Sequence, residues 1–586
     1  MLRLFKNLTK MQVFFIIIAL ILVLVGVGLD LAMPDYMSEI TKLVQTPGSA
    51  MSDIIRNGLY MLGCTALSLV CTVIVSYCAA RIASSFAAVL RSKMFTKIET
   101  LGLQEMKQFS TSSLITRSTN DVTQVDMIIG LGLQMVARAP IMTVWAVMKI
   151  LNKGYEWSML TAACVVVLLI TIACILILVL PRFAKVQKLI DKLNSVTREN
   201  LTGIRVIRAF NAEDYQNERF ANINNDLTNT QLFNQRAFAI LGPMMNLVMH
   251  ALVLGIYIIG ALLISKAGAM EKLTLFSNMV VFSSYGMMVI TSFLMLGMIF
   301  MLWPRAKISA DRINEVLDCP VTIKEGSFNG ETEEKGTIEF DNVSFKYPDA
   351  DDYILRDISF KVNKGETVAI IGSTGSGKTT LINLIPRLYD VTDGNVFVDG
   401  KNVKEYKQSN LNNRIGYVPQ KAVMFTGTVT SNVSYGFVNG KKPTEEKIED
   451  AIRIAQATDF VEKMDGGKEG KIARGGTNIS GGQKQRLAIA RAIARDPEIY
   501  IFDDSFSALD YKTDSQLRKD LKQYTKDATN IIVAQRIGTI INADKIIVLD
   551  EGKCVGMGTH DYLLKNCEVY KEIALSQLSE EELSNA

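Results

Sequence analysis

The chain is predicted to be an α-helical membrane domain, six transmembrane helices with long cytoplasmic extensions, fused to a soluble α/β P-loop domain. Three observations predict it. Six apolar stretches, each about 20 residues or longer and so able to cross a bilayer, precede Pro304. After that proline the 586-residue chain takes on the mixed polarity of a soluble domain. There the apolar run Thr367 to Ile371 leads into Gly372-Ser373-Thr374-Gly375-Ser376-Gly377-Lys378-Thr379-Thr380 and a helix-like run from Leu381. Strand, glycine-rich loop and helix are the context a phosphate-binding loop requires. The expected boundaries are residues 1–304 for the membrane domain, 305–335 for a linker, 336–575 for the nucleotide-binding domain and 576–586 for an acidic, solvated tail.

The spans are expected near residues 12–33, 57–80, 131–152, 157–180, 237–265 and 274–303. Arg3, Lys6 and Lys10 precede the first, as in a secretory signal, but the run is too long and no small-residue cleavage site follows, so a retained helix is expected. Six basic residues (Arg81, Arg91, Lys93, Lys97, Lys107, Arg117) separate spans two and three, and nine separate spans four and five. The loops on the other side carry one or two each. By the positive-inside rule the N-terminus, both long connections and the soluble half are cytoplasmic. Ile82 to Thr100 and Phe183 to Arg208 keep helical periodicity without proline, so the helices are expected to run on past the membrane surface.

Within the spans, Gln134 and Arg138 in the third and Asn246 and His250 in the fifth stand out as polar. An ionisable residue in a span is a functional candidate by default. Arg138 is therefore expected either to line a water-filled cavity or to pair with carbonyls or a neighbouring helix. His250 is expected to be a hydrogen-bonded packing residue, and Lys149 to snorkel. Spans five and six are rich in Met and aromatic residues, among them Met244, Met245, Met249, Met287, Met288, Met295, Met298, Phe293, Phe300, Met301 and Trp303. Thioethers suit varied apolar ligands, and lipid-facing packing explains the same residues equally well. Of eight cysteines, Cys64, Cys71, Cys78, Cys164 and Cys174 lie in apolar runs and read as free, buried thiols. A net charge of +4 shows no nucleic-acid footprint.

In the soluble half, the loop glycines turn backbone N–H groups onto phosphate oxygens and the helix N-terminus adds partial positive charge. Lys378 reaches the β- and γ-phosphates, and the Thr379 hydroxyl is placed to ligate Mg2+. Tyr347, ahead of the loop, is positioned to stack on an adenine ring. Gln420 ends a strand with a side-chain amide, and Ser480-Gly481-Gly482-Gln483 opens a strongly helical run where an anion is welcome. The strand Ile499 to Phe502 runs into Asp503 and Asp504, and Asp503 is expected to hold Mg2+ through water.

These elements, in this order, make the chain from about residue 10 to 570 resemble an ABC transporter half-subunit of the exporter type. The resemblance implies an ABC nucleotide-binding domain with a helical subdomain, Ile479 to Gln483 as the signature motif and Gln420 as the Q-loop glutamine, which joins both the metal and the catalytic set. It makes Phe109 to Asp121 and Val206 to Asp214 coupling elements, and it implies a dimer in which each signature completes the other subunit's ATP site. Two positions depart from the family pattern. Asp504 stands where active members have Glu, and Gln535 where they have His. A carboxylate withdrawn by about 1.5 Å is badly placed to polarise water, and such a displacement costs about 10²-fold in rate. Gln535 donates a hydrogen bond yet carries neither proton nor charge.

The chain's own ATP site is therefore expected to turn over slowly or not at all, while its intact signature serves a partner that supplies the Glu and the His. This pattern resembles the degenerate-site subunit of heterodimeric bacterial multidrug exporters, with apolar or amphipathic cargo, in the bacterial plasma (inner) membrane. Other readings are an active homodimer, an importer, a lipid or peptide translocator, and an ATP-gated regulatory or channel module. No peptidase-like domain precedes the first span, which counts against a peptide-processing exporter.

Overall fold

The computed structural model describes residues 3–46, 48–151, 154–436 and 440–578. The chain divides into two compact units: one holds Met1–Glu99 and Ser110–Cys319, the other Thr100–Phe109 and the chain from Pro320 onward.

Helices run through the chain up to Leu317: α1 (Lys10–Gln45), α2 (Met51–Thr100), α3 (Leu103–Gln108), α4 (Thr111–Thr116), α5 (Val122–Leu151), α6 (Tyr155–Ala209), α7 (Glu213–Ala239), α8 (Leu241–Lys266) and α9 (Ala269–Leu317). Among the described residues, six helical stretches are long and apolar enough to cross a membrane. Thr9 opens α1 with a reciprocal cap, accepting from the Gln12 N–H while the Gln12 side chain accepts from its own. As expected, α2 and α6 run far beyond the length of a span, to 50 and 55 residues. The last span was expected to end at Pro304 with a charged helix following from Arg305 to Val316; that helix is present, but as a continuation of α9, which passes through Pro304 without a break. Ala306, Ala310, Ile313 and Val316 are buried on the far side, and this continuing apolar stripe holds the helix together across one missing N–H.

In the membrane unit α9 packs against α1, α5 and α8, and α6 lies along α7 and α8. Trp157, Phe282 and Tyr285 are almost fully buried in this core. The indole of Trp157 donates to the Ile256 carbonyl at 3.2 Å and the Tyr285 hydroxyl to the Leu31 carbonyl at 2.8 Å, so both polar tips are satisfied. A π-helical turn at Arg117–Asp121 links α4 to α5, and Arg117 donates to Glu315 at 2.7 Å near the end of α9.

The polar residues of the spans behave unequally. Arg138 pairs with Asp30 of α1 at 2.5 Å, and Ser68 of α2 donates to the other oxygen of the same carboxylate at 2.6 Å. Pairing with a neighbouring helix is thus realised for Arg138, and Asp30, an acid inside the first apolar run, is the partner overlooked in the sequence. Arg138 and Gln134 also line a small pocket of about 50 Å³ with Thr72 and Ser76, room for a water or two. Lys149 does not simply snorkel; it pairs with Asp35 at 2.7 Å. Asn246 and His250 point away from the chain's own core and are exposed, and no hydrogen bond to the His250 ring occurs among the described residues, contrary to the packing role expected for it.

The Met-rich spans split too. Met245 is buried, and Met249, Met288 and Phe293 pack into the core, so core packing accounts for these four. The side chains of Met298, Phe300 and Met301 lie outside the described residues, as does the tail from Ser579. Cys71 and Cys78 are buried as expected, whereas Cys64 and Cys164 are half-buried and Cys174 is exposed.

In the second unit the first strands, β1 (Ile338–Phe345), β2 (Leu355–Val362), β4 (Asp393–Val398) and β5 (Lys401–Asn402), form an antiparallel sheet in the order β2-β1-β4-β5. A second sheet has the order β12-β11-β3-β10-β9-β6, from β3 (Thr367–Gly372), β6 (Ile415–Val418), β9 (Ile499–Asp503), β10 (Thr529–Val533), β11 (Lys545–Asp550) and β12 (Lys553–Gly558). Its pairings are parallel except β11 with β12. A short ribbon pairs β7 (Gly427–Thr428) with β8 (Lys471–Ile472). The intervening helices are α10 (Lys378–Asn383), α11 (Gln408–Asn413), α12 (Val429–Val433), α13 (Glu445–Ile454), α14 (Thr458–Glu462), α15 (Gly481–Ala494), α16 (Tyr511–Tyr524), α17 (Ile537–Ile540), α18 (His560–Asn566) and α19 (Glu568–Leu575). Helices α12 to α15 share one core with Val418 and Tyr500, the helical subdomain.

Removing one member of the Asp30–Arg138 pair leaves an uncompensated charge in an apolar setting, a loss of about 3–5 kcal/mol. D30A and R138A are each expected to lower the thermal unfolding midpoint of the purified chain sharply, and the double replacement D30L/R138M to lower it less than either.

Candidate nucleotide site and membrane pockets

The parallel strands put the chemistry at one edge. Strand β3 ends at Gly372, where a Cβ would run into the Leu549 carbonyl oxygen, so only glycine lets the loop leave between β3 and β11. Gly377, at φ +96°, makes the left-handed step that starts α10, which a side chain would resist. Ser373, Thr374 and Gly375 at the crest of the loop are exposed, and Ser376 is buried beneath them. The Lys378 ammonium folds over the loop, donating to the carbonyls of Gly372 at 2.9 Å and Ser373 at 2.7 Å. The Thr379 hydroxyl donates to Asp503 at 3.1 Å, joining the loop to the end of β9.

The neighbouring strands deliver the remaining groups. Register pairs Val533 with Asp503 across β10 and β9, so Asp504 and Gln535 emerge side by side. Asp504 adopts φ +45°, a conformation aspartate tolerates better than most residues, and its N–H donates to the Val533 carbonyl at 3.0 Å. One oxygen of its carboxylate accepts from Gln535 at 2.9 Å and from Gln420 at 3.2 Å. Residues widely separated in sequence thus meet on a single atom.

Burial pushes the Asp503 carboxyl up from its ordinary value, and the neighbouring Asp504 acts in the same direction, against Thr379 and Lys378. Burial pushes the Lys378 ammonium down, against the pull of both aspartates. In both groups burial outweighs the compensation that the opposite charges supply. Phosphate oxygens at Lys378 and a divalent cation at Thr379 and Asp503 would supply the remainder, so the residues present fit a Mg2+–nucleotide.

Tyr347 is half-buried between Phe345 and Tyr389, edge-on to each, and its hydroxyl lies 3.1 Å from the Thr380 hydroxyl at the start of α10. The Lys107 ammonium sits over its ring, 4.2 Å from the centroid. Lys107 belongs to α3, which Glu105 ties to this unit by accepting from the Thr322 N–H at 3.2 Å. Nothing in the sequence links Lys107 to a tyrosine 240 residues on.

Ser480 caps α15 with a reciprocal box, its hydroxyl accepting from the Gln483 N–H while the Gln483 side chain accepts from the Ser480 N–H. Ser480 and Gly481 are exposed and Gly482 half-exposed. Among the described residues no hydrogen bond joins positions 480–483 to the phosphate loop. The loop, Asp503, Asp504, Gln420, Gln535 and Tyr347 are brought together by one chain; the signature is held apart on its own helix.

In the membrane unit, a pocket of about 490 Å³ is lined almost entirely by apolar side chains of α1, α2, α5 and α9, among them Ile16, Ile82, Leu133, Val136 and Trp303. Phe210 and Tyr215, at the turn from α6 to α7, are 78% and 67% exposed, the largest uncovered aromatics of that end.

A helical membrane unit joined to a phosphate-loop unit with these features defines an ATP-coupled membrane transport protein. Residues 355–507 match the ABC transporter family and residues 16–296 the ABC transporter transmembrane region. The chain is 39% identical over 550 residues, 92% of its length and 93% of the other's, to an uncharacterized ABC transporter ATP-binding protein of Mycobacterium tuberculosis. It is 32% identical to a probable multidrug resistance ABC transporter ATP-binding/permease protein of Bacillus subtilis, over 83% of this chain and 82% of that one. A solved structure, a bacterial Atm1-family ABC exporter with ATP bound, superposes with a TM-score of 0.82 over 97% of this chain and 98% of its own, at 24% identity, which speaks to the fold. The protein belongs to the ABC transporter family and is a half-transporter with the exporter fold. Membership implies ATP binding, ATPase-coupled transport, and pairing with another ABC subunit or with a second copy of itself.

Lys378 is the group whose loss would be felt most directly by a triphosphate. K378A is expected to weaken binding of a fluorescent ATP analogue to the purified chain by about 10- to 100-fold, the worth of hydrogen bonds to a charged group, with the helical content in circular dichroism unchanged.

Proposed function

We propose that the chain is one half of a heterodimeric ABC exporter and that its own ATP site is the slow one of the pair. The observation that carries this reading is the tethered carboxylate. The Asp504 oxygen that accepts from Gln535 at 2.9 Å and Gln420 at 3.2 Å already has two amide donors. A general base must aim an oxygen at the attacking water, and two amides on one oxygen fix the direction in which this carboxylate faces. Asp504 is also one methylene short, and neither amide can take up a proton. Mg2+, held by Thr379 and Asp503, would neutralise phosphate charge. Lys378 and the loop N–H groups bind and orient the triphosphate, and Tyr347 seats the base. The residues thus serve to hold ATP and let the two nucleotide domains close on it. Hydrolysis falls to the site formed by this chain's Ser480 to Gln483 and the partner's phosphate loop, Glu and His.

The need for a second subunit is supported on both units. The exposed signature residues Ser480 and Gly481 make no hydrogen bond to the chain's own phosphate loop among the described residues. Asn246 and His250 on α8 are uncovered by the chain's own helices, and polar groups facing lipid are costly. Phe210 and Tyr215 are apolar surface at a charged end of the molecule. The apolar pocket of about 490 Å³ and the name of the Bacillus subtilis relative support apolar or amphipathic cargo, exported by alternating access. The basic residues of the long connections support a bacterial plasma (inner) membrane location with the N-terminus and nucleotide-binding domain in the cytoplasm.

The test is ATPase activity of the purified chain, alone and co-expressed with the product of the adjacent reading frame. The chain alone should be about 100-fold slower than the pair, and replacing the partner's catalytic Glu by Gln should silence the pair. In the chain alone, D504E/Q535H should raise turnover toward that of the pair. Brisk hydrolysis by the unmodified chain as a homodimer would sink the reading.

A further inference from the structure

The second sheet is covered on one face by two helices, α16 and α17, that are bridged by a hydrogen bond from the Arg518 side chain to the Gly538 carbonyl. Helix α16 packs through Leu517 and Leu521 into the core of the helical subdomain, and α17 through Ile537 and Ile540 into a separate core with Val548 and Tyr570. Between them lies a cavity of about 380 Å³, within the size range of sites for small organic ligands. Its floor is apolar, from Ala369, Phe506, Ile532 and Ile540. Ala369 is a small side chain at a sheet position where a larger one would close the gap.

The remaining lining is not what packing alone requires. Arg518, Lys519 and Lys522 of α16 line one side. Arg518 is spent, paired with Asp514 at 3.0 Å and donating to the Gly538 carbonyl at 2.7 Å. Lys519 and Lys522 make no ion pair among the described residues, so the mouth carries two uncompensated positive charges. Asn530, on β10, is 6% exposed and also lines the cavity. Its amide nitrogen donates to the Ala528 carbonyl, while its amide oxygen is buried with no partner, a costly arrangement unless something fills the space.

We infer that this cavity binds a small amphipathic organic anion, an aromatic or short-chain carboxylate, sulfonate or phosphate ester. Its apolar body lies against Phe506 and Ile540, and its charge faces Lys519 and Lys522. A hydroxyl on the ligand or an accompanying water donates to Asn530. The position makes such a ligand regulatory. Phe506 follows Asp504 by two residues, and Thr539, also on the wall, follows Gln535 by four. A body wedged between them acts on the two segments that carry the 2.9 Å Asp504–Gln535 hydrogen bond. This regulatory half rests on the proposed role of that pair; the binding half does not.

The test uses 6-fluoro-2-naphthoate and its neutral analogue 6-fluoro-2-naphthalenemethanol, followed by fluorine NMR on the full-length chain in lipid nanodiscs against empty nanodiscs. Saturable binding of the naphthoate is expected, weakened at least tenfold by K519E/K522E and by raised salt. The alcohol should be indifferent to both changes. Both lysines are exposed, so the variant should fold and bind ATP as before. S515F, which crowds the rim from an exposed position, should weaken both probes. No saturable binding above the nanodisc background, or equal affinity in K519E/K522E, overturns the site. With binding in place, the naphthoate should change ATP turnover of the transport-competent pair at least twofold, and not in K519E/K522E. Binding without that change overturns the regulatory half alone.

Discussion

Parallel pairing of β3, β10 and β9 is the constraint on which the nucleotide unit depends. Each of these strands is largely buried and mostly apolar, so the register is set by packing on both faces. Once set, it fixes where every chain leaves the sheet. The phosphate loop, the Asp503–Asp504 pair and the Ala534–Gln535 turn all depart at the same edge. Slipping β10 by one residue would turn Val533 outward and carry Gln535 away from Asp504. The functional groups are therefore positioned by hydrophobic packing several ångströms below them, on residues that touch no nucleotide.

Much of this was legible in the sequence, and for a physical reason. Span length, positive-charge asymmetry and the strand–loop–helix motif are local properties of the chain, and each survives folding unchanged. Long-range juxtaposition is not local. Asp504 and Gln535 were each recognisable as departures, yet nothing in their spacing announces that both Gln535 and Gln420 donate to one carboxylate oxygen. Lys107 over Tyr347 was equally invisible, because a charge in a surface connection looks the same whether or not a ring lies beneath it. Asp30 is different. It was readable, a lone acid in an apolar run, and its pairing with Arg138 accounts for the charge that the sequence left open.

The membrane unit resolves its polar groups by pairing where it can. Asp30 takes Arg138 and Ser68, and Asp35 takes Lys149. Those pairs tie α1 to α2 and α5 and hold helices in register that lipid alone would not align. Pro34, Pro140, Pro181 and Pro304 all lie inside helices, each removing one backbone donor. Asn246 and His250 receive no such pairing among the described residues, which distinguishes their exposed face of α8 from the buried one.

The three tryptophans, Trp145, Trp157 and Trp303, all lie in the helices of the membrane unit, and the nucleotide unit has none. Trp157 is the most enclosed, its ring 5.5 Å from Phe282 and its N–H bound to the Ile256 carbonyl. Light absorbed at the red edge of the protein spectrum is therefore emitted almost wholly from the membrane helices. A change in that emission when nucleotide is added has to have travelled there. The native chain thus contains its own optical reporter of communication between the two halves, with no label to introduce.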